Sequence, residues 1–95
     1  MRSTMRSMRA PDPVEVVIAV VRDLASAGAL PAELTAVPLE AATTLDSLGL
    51  DSMARLELLA ELEDRADVHL AEATVSGIRT ISDLARAIFQ ARRAA

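Results

Sequence analysis

Two Asp-Ser dipeptides, Asp46-Ser47 and Asp51-Ser52, stand close together in the stretch TLDSLGLDSMARLELLAELED, Thr44 to Asp64. A serine beside an aspartate can cap a helix, act as a nucleophile or accept a covalently attached group, and capping or turning the chain is its commonest use. The two serines differ in setting. Ser47 lies within an irregular segment, between Leu45 and Leu48, which are expected to be buried. Ser52 lies where that segment becomes an amphipathic helix, so its hydroxyl projects from the positive end of the helix dipole, a place that favours a phosphate ester. Local physics therefore prefers Ser52 for phosphate chemistry.

The remaining candidates for chemistry are few. The chain has no cysteine, hence no disulfide framework and no thiolate metal site, and its single histidine, His69, cannot form a zinc site by itself. No metal site is expected. His69 and Ser52 have no base or oxyanion arrangement linking them, and a lone histidine is usually structural or solvated. The acids of the helix after Ser52 are spaced as an exposed face, not as a catalytic carboxylate pair, and no glycine-rich phosphate cradle is present. No catalytic residue is expected, and the chain does not read as an enzyme.

These side chains must be held by a small scaffold. Ninety-five residues make one domain, and with 52% apolar residues but one aromatic, Phe89, its core has to be aliphatic. Charge is unevenly spread beneath the net value of −4: residues 1–10 carry three Arg and no acid, whereas residues 11–72 carry thirteen acids against three Arg. An acidic body argues against nucleic acid, which needs a basic surface. It favours a basic protein partner. The apolar run VVIAVV is six residues long and bounded by charges, too short to span a bilayer and a poor secretory signal. No membrane association is expected, and the protein reads as cytoplasmic.

Asp12 as cap, Pro13 at the first helical position and Glu15 in the first turn start a helix that should run to about Ala27, with Gly28 placed to end it. Its predicted core face is Val14, Val17, Ile18, Val21, Leu24 and Ala25, with Glu15, Arg22 and Ser26 opposite. Residues 29–51 lack a sustained period and form a long first loop, with one short turn expected around residues 32–37. A second helix should begin at Asp51 or Ser52 and end near Arg65, turning Leu56, Leu59 and Leu62 to the core. A short helix is expected near residues 72–77. Thr80-Ile81-Ser82-Asp83 reads as a capping box opening a last helix, with Ile81, Leu84, Ala85, Ile88 and Phe89 on its apolar face. The predicted fold is all-α: a small four-helix bundle, three helices long and one short. Residues 1–12 are expected to be a mobile N-terminal segment, 13–91 the domain and 92–95 a C-terminal tail.

At this level of detail the stretch LDSLGLDSMARLELLAELED, followed by VHLAEATVSGIRTISDLARAI, resembles the acyl carrier protein family. The shared pattern is a leucine-glycine turn, Asp-Ser-hydrophobic, an acidic helix, and Thr-hydrophobic-x-Asp-Leu opening a last helix, and it spans about residues 14–89. The resemblance implies a right-handed four-helix fold in which Ser52 bears 4′-phosphopantetheine, donated by coenzyme A, that carries acyl groups as thioesters. The missing cysteine is then unsurprising, because the working thiol belongs to the arm. Asp46-Ser47 becomes the structural copy. The sequence departs from the family at Ala66, where an aromatic is common, at Ala71, where proline is common, and at Met53, where leucine is usual, a volume-conserving change. Arg55 adds a positive charge in the first turn, against the dipole. It is expected to pair with Asp51 or Glu57.

The resemblance further implies a discrete, monomeric carrier that works as a covalent shuttle. Its partners would be a phosphopantetheinyl transferase and an acyltransferase, a ketosynthase or an adenylate-forming ligase. Partners are expected on the start and exposed side of the second helix, at Asp51, Met53, Glu57 and Ala60, with Glu63 and Asp64 at the edge. The Arg-rich ends and Ala-rich helices point toward polyketide or related natural-product biosynthesis, with an acyl or aminoacyl cargo. Fatty acid biosynthesis is the alternative pathway. A carrier-fold interaction module that does not use the arm is the alternative from another class.

Overall fold

The computed structural model describes residues 12–94. The expected mobile segment therefore falls, apart from Asp12, outside the described residues. Four α-helices follow one another: α1 (Pro13–Ser26), α2 (Ser52–Ala66), the single-turn α3 (Glu72–Val75) and α4 (Ile81–Ala94). Two 3-10 turns, Ala32–Thr35 and Asp46–Leu48, punctuate the long first loop. Among the described residues there is no strand, only an isolated antiparallel bridge between Thr44 and Thr80. α4 continues to Ala94, so residues 92–94 extend the last helix where a tail was expected.

Local chemistry fixes the helix ends. Asp12 Oδ1 accepts from Val14 N at 2.9 Å, and Pro13 occupies the first helical position, where no amide bond is lost. At the other end of α1, Gly28 adopts φ +89°. The Gly28 amide then reaches Ala25 O at 3.2 Å and the Ala29 amide reaches Leu24 O at 2.9 Å. This paired closure satisfies carbonyls that the helix would otherwise leave open. α4 opens on the expected capping box: Asp83 N donates to Thr80 Oγ1 at 3.0 Å and Thr80 N donates back to Asp83 Oδ2 at 3.2 Å.

The core is aliphatic, as the composition requires, and its largest fully buried side chains are Val17, Val20, Val21, Leu58, Leu62, Ile81, Leu84 and Ile88. Three predicted faces need correction. In α1, Val20 joins Val17, Val21 and Ala25 inside, while Val14, Ile18 and Leu24 are only partly buried. The helix packs against both α4 and the first 3-10 turn, so its apolar stripe has to be wider than one contact needs. In α4, Phe89 is exposed at the edge of the stripe, with the Arg93 guanidinium 5.6 Å from its ring centroid, and Ala87 is buried.

The third correction bears on function. α2 buries Leu58, Leu62 and Ala66, not Leu56, and Leu59 is only partly buried. Leu56 is 62% exposed. The stretch Leu56–Leu59 supports two helical registers, and Ala66, an apolar residue too small to stand out, completes the one that packs.

The long loop is held from both sides. Arg22, expected on the polar face of α1, is half-buried, and its guanidinium donates to Leu34 O at 3.0 Å and Val37 O at 2.7 Å. Further along, Leu45 N donates to Arg79 O, Ile81 N to Thr43 O and Ser82 N to Ala41 O, at 2.8–3.0 Å. The loop thus carries α2 to a defined starting point against α4. Arg65 closes the far end, bonding Asp23 of α1 at 2.7 Å and Glu61 at 2.9 Å, and both carboxylates raise its pKa.

Candidate functional site

The second 3-10 turn and the start of α2 place the two serines in contrasting chemistry. Leu45 and Leu48 are buried and anchor the turn, and Gly49 ends it at φ +72°, a conformation that glycine takes without strain. Ser47, exposed between them, spends its hydroxyl on Thr44 O at 2.7 Å, while its amide bonds Thr44 Oγ1 at 3.2 Å. Ser47 is a turn residue. Ser52 is the first residue of α2, is exposed, and among the described residues its hydroxyl has no hydrogen-bond partner.

Asp51, not Ser52, caps α2. Its backbone is extended and its Oδ1 accepts from Ala54 N at 2.8 Å, and its carbonyl accepts from Arg55 N at 3.0 Å. By position, the amides of Ser52 and Met53 have no acceptor inside the helix. A free hydroxyl therefore stands beside free N–H groups at the positive helix end, a setting for a negatively charged ester. Beside it lies an open depression of about 350 Å³, walled by Gly28–Pro31 on one side and by Asp51, Met53 and Glu57 on the other.

From Ser52 an exposed stripe runs down α2 through Met53, Leu56, Glu57, Ala60 and Asp64 at helical spacing. Met53 is 68% exposed and lies one turn from Leu56. Leu56 was absent from the expected docking residues because the sequence assigned it to the core. Its spacing of three from Met53 and four from Ala60 was the signal available. Among the described residues, neither Glu57 nor Asp64 takes part in an ion pair. Glu63 differs: its Oε2 accepts from Leu70 N at 2.7 Å and lies 3.3 Å from His69 Nδ1, so it holds the α2–α3 loop. His69 is otherwise solvated.

Beyond the stripe, toward α3, an open groove of about 620 Å³ is walled by Leu56, Ala60, Glu63, Glu72 and Val75. Behind it a small apolar cavity of about 30 Å³ lies among Leu45, Leu58, Leu59, Val75, Ile78 and Leu84, with Arg55 at its wall. Arg55 does not pair with Asp51 or Glu57. Its Nη2 lies 2.6 Å from Asp46 Oδ1, reaching back to the 3-10 turn. Among the described residues no group of carboxylates or histidines is arranged to hold a metal ion, and no helix is long and apolar enough to cross a membrane.

Two comparisons with known proteins bear on this site. A family model described as "Phosphopantetheine attachment site" matches residues 28–88, from the end of α1 into α4, and so well over half the chain. No curated protein matches the sequence.

Proposed function

Because the chain belongs to the phosphopantetheine attachment family, whose members bind covalently attached 4′-phosphopantetheine, we propose that it is an acyl carrier with Ser52 as the attachment residue. The arm's thiol supplies the thioester chemistry, carrying acyl or aminoacyl groups in polyketide or related natural-product assembly. The supporting observation is the free, exposed Ser52 hydroxyl at the first position of α2, set against a Ser47 hydroxyl already bonded to Thr44 O.

The residues present fit the group. Attachment joins Ser52 Oγ to a phosphorus of coenzyme A and breaks that phosphorus's bond to the nucleotide portion. The hydroxyl proton leaves to a base on the transferase. The Ser52 and Met53 amides and the α2 dipole favour the charge of the resulting phosphodiester. The helical bundle is of the acyl carrier type in this reading, and the monomer works in the cytoplasm. Carrier domains of this family are in general not themselves catalysts.

Partner enzymes, a phosphopantetheinyl transferase and then an acyltransferase, ketosynthase or adenylate-forming ligase, dock along the stripe beside Ser52. Asp51, Met53, Glu57, Ala60 and Asp64 form it, with Leu56 added and Glu63 at its edge. Its exposed acids steer a basic partner and set orientation more than they supply affinity, which suits a carrier that must release each enzyme in turn. Reversing Glu57 and Asp64 to Arg tests this. Helicity should be unchanged, transfer to a partner should slow, and the wild-type rate should fall as salt rises. Unchanged transfer at low salt, with impairment by Glu15→Arg on α1, would move the docking face.

A further inference from the structure

Arg55 is the only basic residue between Arg22 and Arg65, and both of those are committed elsewhere: Arg22 to two loop carbonyls and Arg65 to two carboxylates. Arg55 lies three residues after Ser52 on α2, which brings their Cβ atoms to about 5–6 Å on one face of the helix. A cation in the first turn opposes the helix dipole. Its partner Asp46 does little to explain it, because the Asp46 side chain is 91% exposed and the Arg55 side chain 37% exposed, and so open an ion pair is weak and readily exchanged.

The charge is explained if a second anion arrives. A phosphodiester on Ser52 would stand next to Asp51 and one helical turn from Arg55, whose guanidinium already holds Asp46, so Arg55 is a cation within its reach. Guanidinium binds phosphate oxygens through paired, charge-assisted hydrogen bonds, and its flexible stem lets it turn without moving the helix.

Building on the attachment at Ser52, we propose that Arg55 is a two-position residue that fixes the root of the arm. In the unmodified protein its guanidinium is parked on Asp46. Once the arm is attached, it turns to the phosphodiester and releases Asp46. Arg55 is thus a positioning residue for the root of the arm. The side chain also lines the 30 Å³ cavity, so this turn alters the cavity wall.

The test compares unmodified and modified forms of the wild type, Arg55→Gln, Asp46→Asn and the double variant, with modification confirmed by intact mass and folding by circular dichroism. In the unmodified form, the effects of the two substitutions on melting temperature should be non-additive. In the modified form they should become additive. The ³¹P resonance of the modified protein should be displaced by Arg55→Gln but not by Asp46→Asn. The wild type alone gives a further reading, because the Arg55 Nε–H resonance should move on modification. A ³¹P resonance unmoved by Arg55→Gln, an Asp46 coupling that survives modification, or a stationary Arg55 resonance would overturn the proposal while leaving attachment intact. Failure of the wild type to gain mass would overturn both.

Discussion

Leu58→Ala and Leu56→Ala apply one chemical change two positions apart on α2 and should give opposite results. Leu58 is 1% exposed and lines the cavity of about 30 Å³. Truncation there enlarges an existing void against a neighbouring wall, and buried Leu→Ala changes of this kind cost about 3–5 kcal/mol. For a domain of this size each kcal/mol lowers the melting temperature by about 4–8 °C, so even the smaller cost lowers it by about 12–24 °C. Total stability of small domains starts near 5 kcal/mol, so the loss is a large fraction of it. Leu56, at 62% exposure, has little burial to lose, and alanine's helix propensity offsets part of that, which leaves the change within about 0.5 kcal/mol. Thermal unfolding followed by far-ultraviolet circular dichroism measures both. Leu56→Ala should melt with the wild type yet slow transfer to a partner enzyme if its side chain belongs to the proposed docking stripe. Equal destabilisation by the two substitutions would refute the assignment of the α2 faces and remove Leu56 from the stripe.

Replacing Arg22 by Met keeps the apolar stem but leaves Leu34 O and Val37 O without their donor; hydrogen bonds to charged groups contribute about 1.5–3 kcal/mol, so chemical denaturation should show a loss of that order, with faster amide exchange in residues 34–37. Asp83 is held below the usual carboxylate range by hydrogen bonds from the backbone amides of Arg79 and Thr80. Because its folded pKa is depressed, the stability it contributes is present above the ordinary carboxylate pKa and is lost as pH falls through the folded value. Asp83→Asn should therefore lower the melting temperature at neutral pH and flatten its decline below about pH 4. Curves of equal slope for variant and wild type in that range would contradict this.

Much of the scaffold was legible because its punctuation is chemical. Asp12-Pro13, Gly28 and the Thr80-to-Asp83 box each satisfy specific backbone groups, and the helices begin and end where those residues stand. What escaped were faces, not elements. In α2 the choice between Leu56 and Leu58 depends on the packing partner, and the small Ala66 gave no strong periodic signal. Phe89 looked like core by type alone, yet one aromatic at the edge of an aliphatic stripe is better placed beneath Arg93. Side chains that act across the loop were invisible for another reason: Arg22 with Leu34 and Val37, and Arg55 with Asp46, are nine to fifteen positions apart in sequence, with a break in helical periodicity between them. Their pairing follows from where the loop docks, its first 3-10 turn on α1 and residues 41–45 at the start of α4. The contrast between the two serines was accessible because a helix end is a local feature.

Intact mass after incubation with a promiscuous phosphopantetheinyl transferase and coenzyme A tests the central claim most directly. The chain is offered as wild type, Ser47→Ala and Ser52→Ala, each first shown by circular dichroism to be helical without the arm. One phosphopantetheinyl addition should appear on the wild type and on Ser47→Ala, and none on Ser52→Ala. Addition to folded Ser52→Ala, or none to the wild type, would contradict the account.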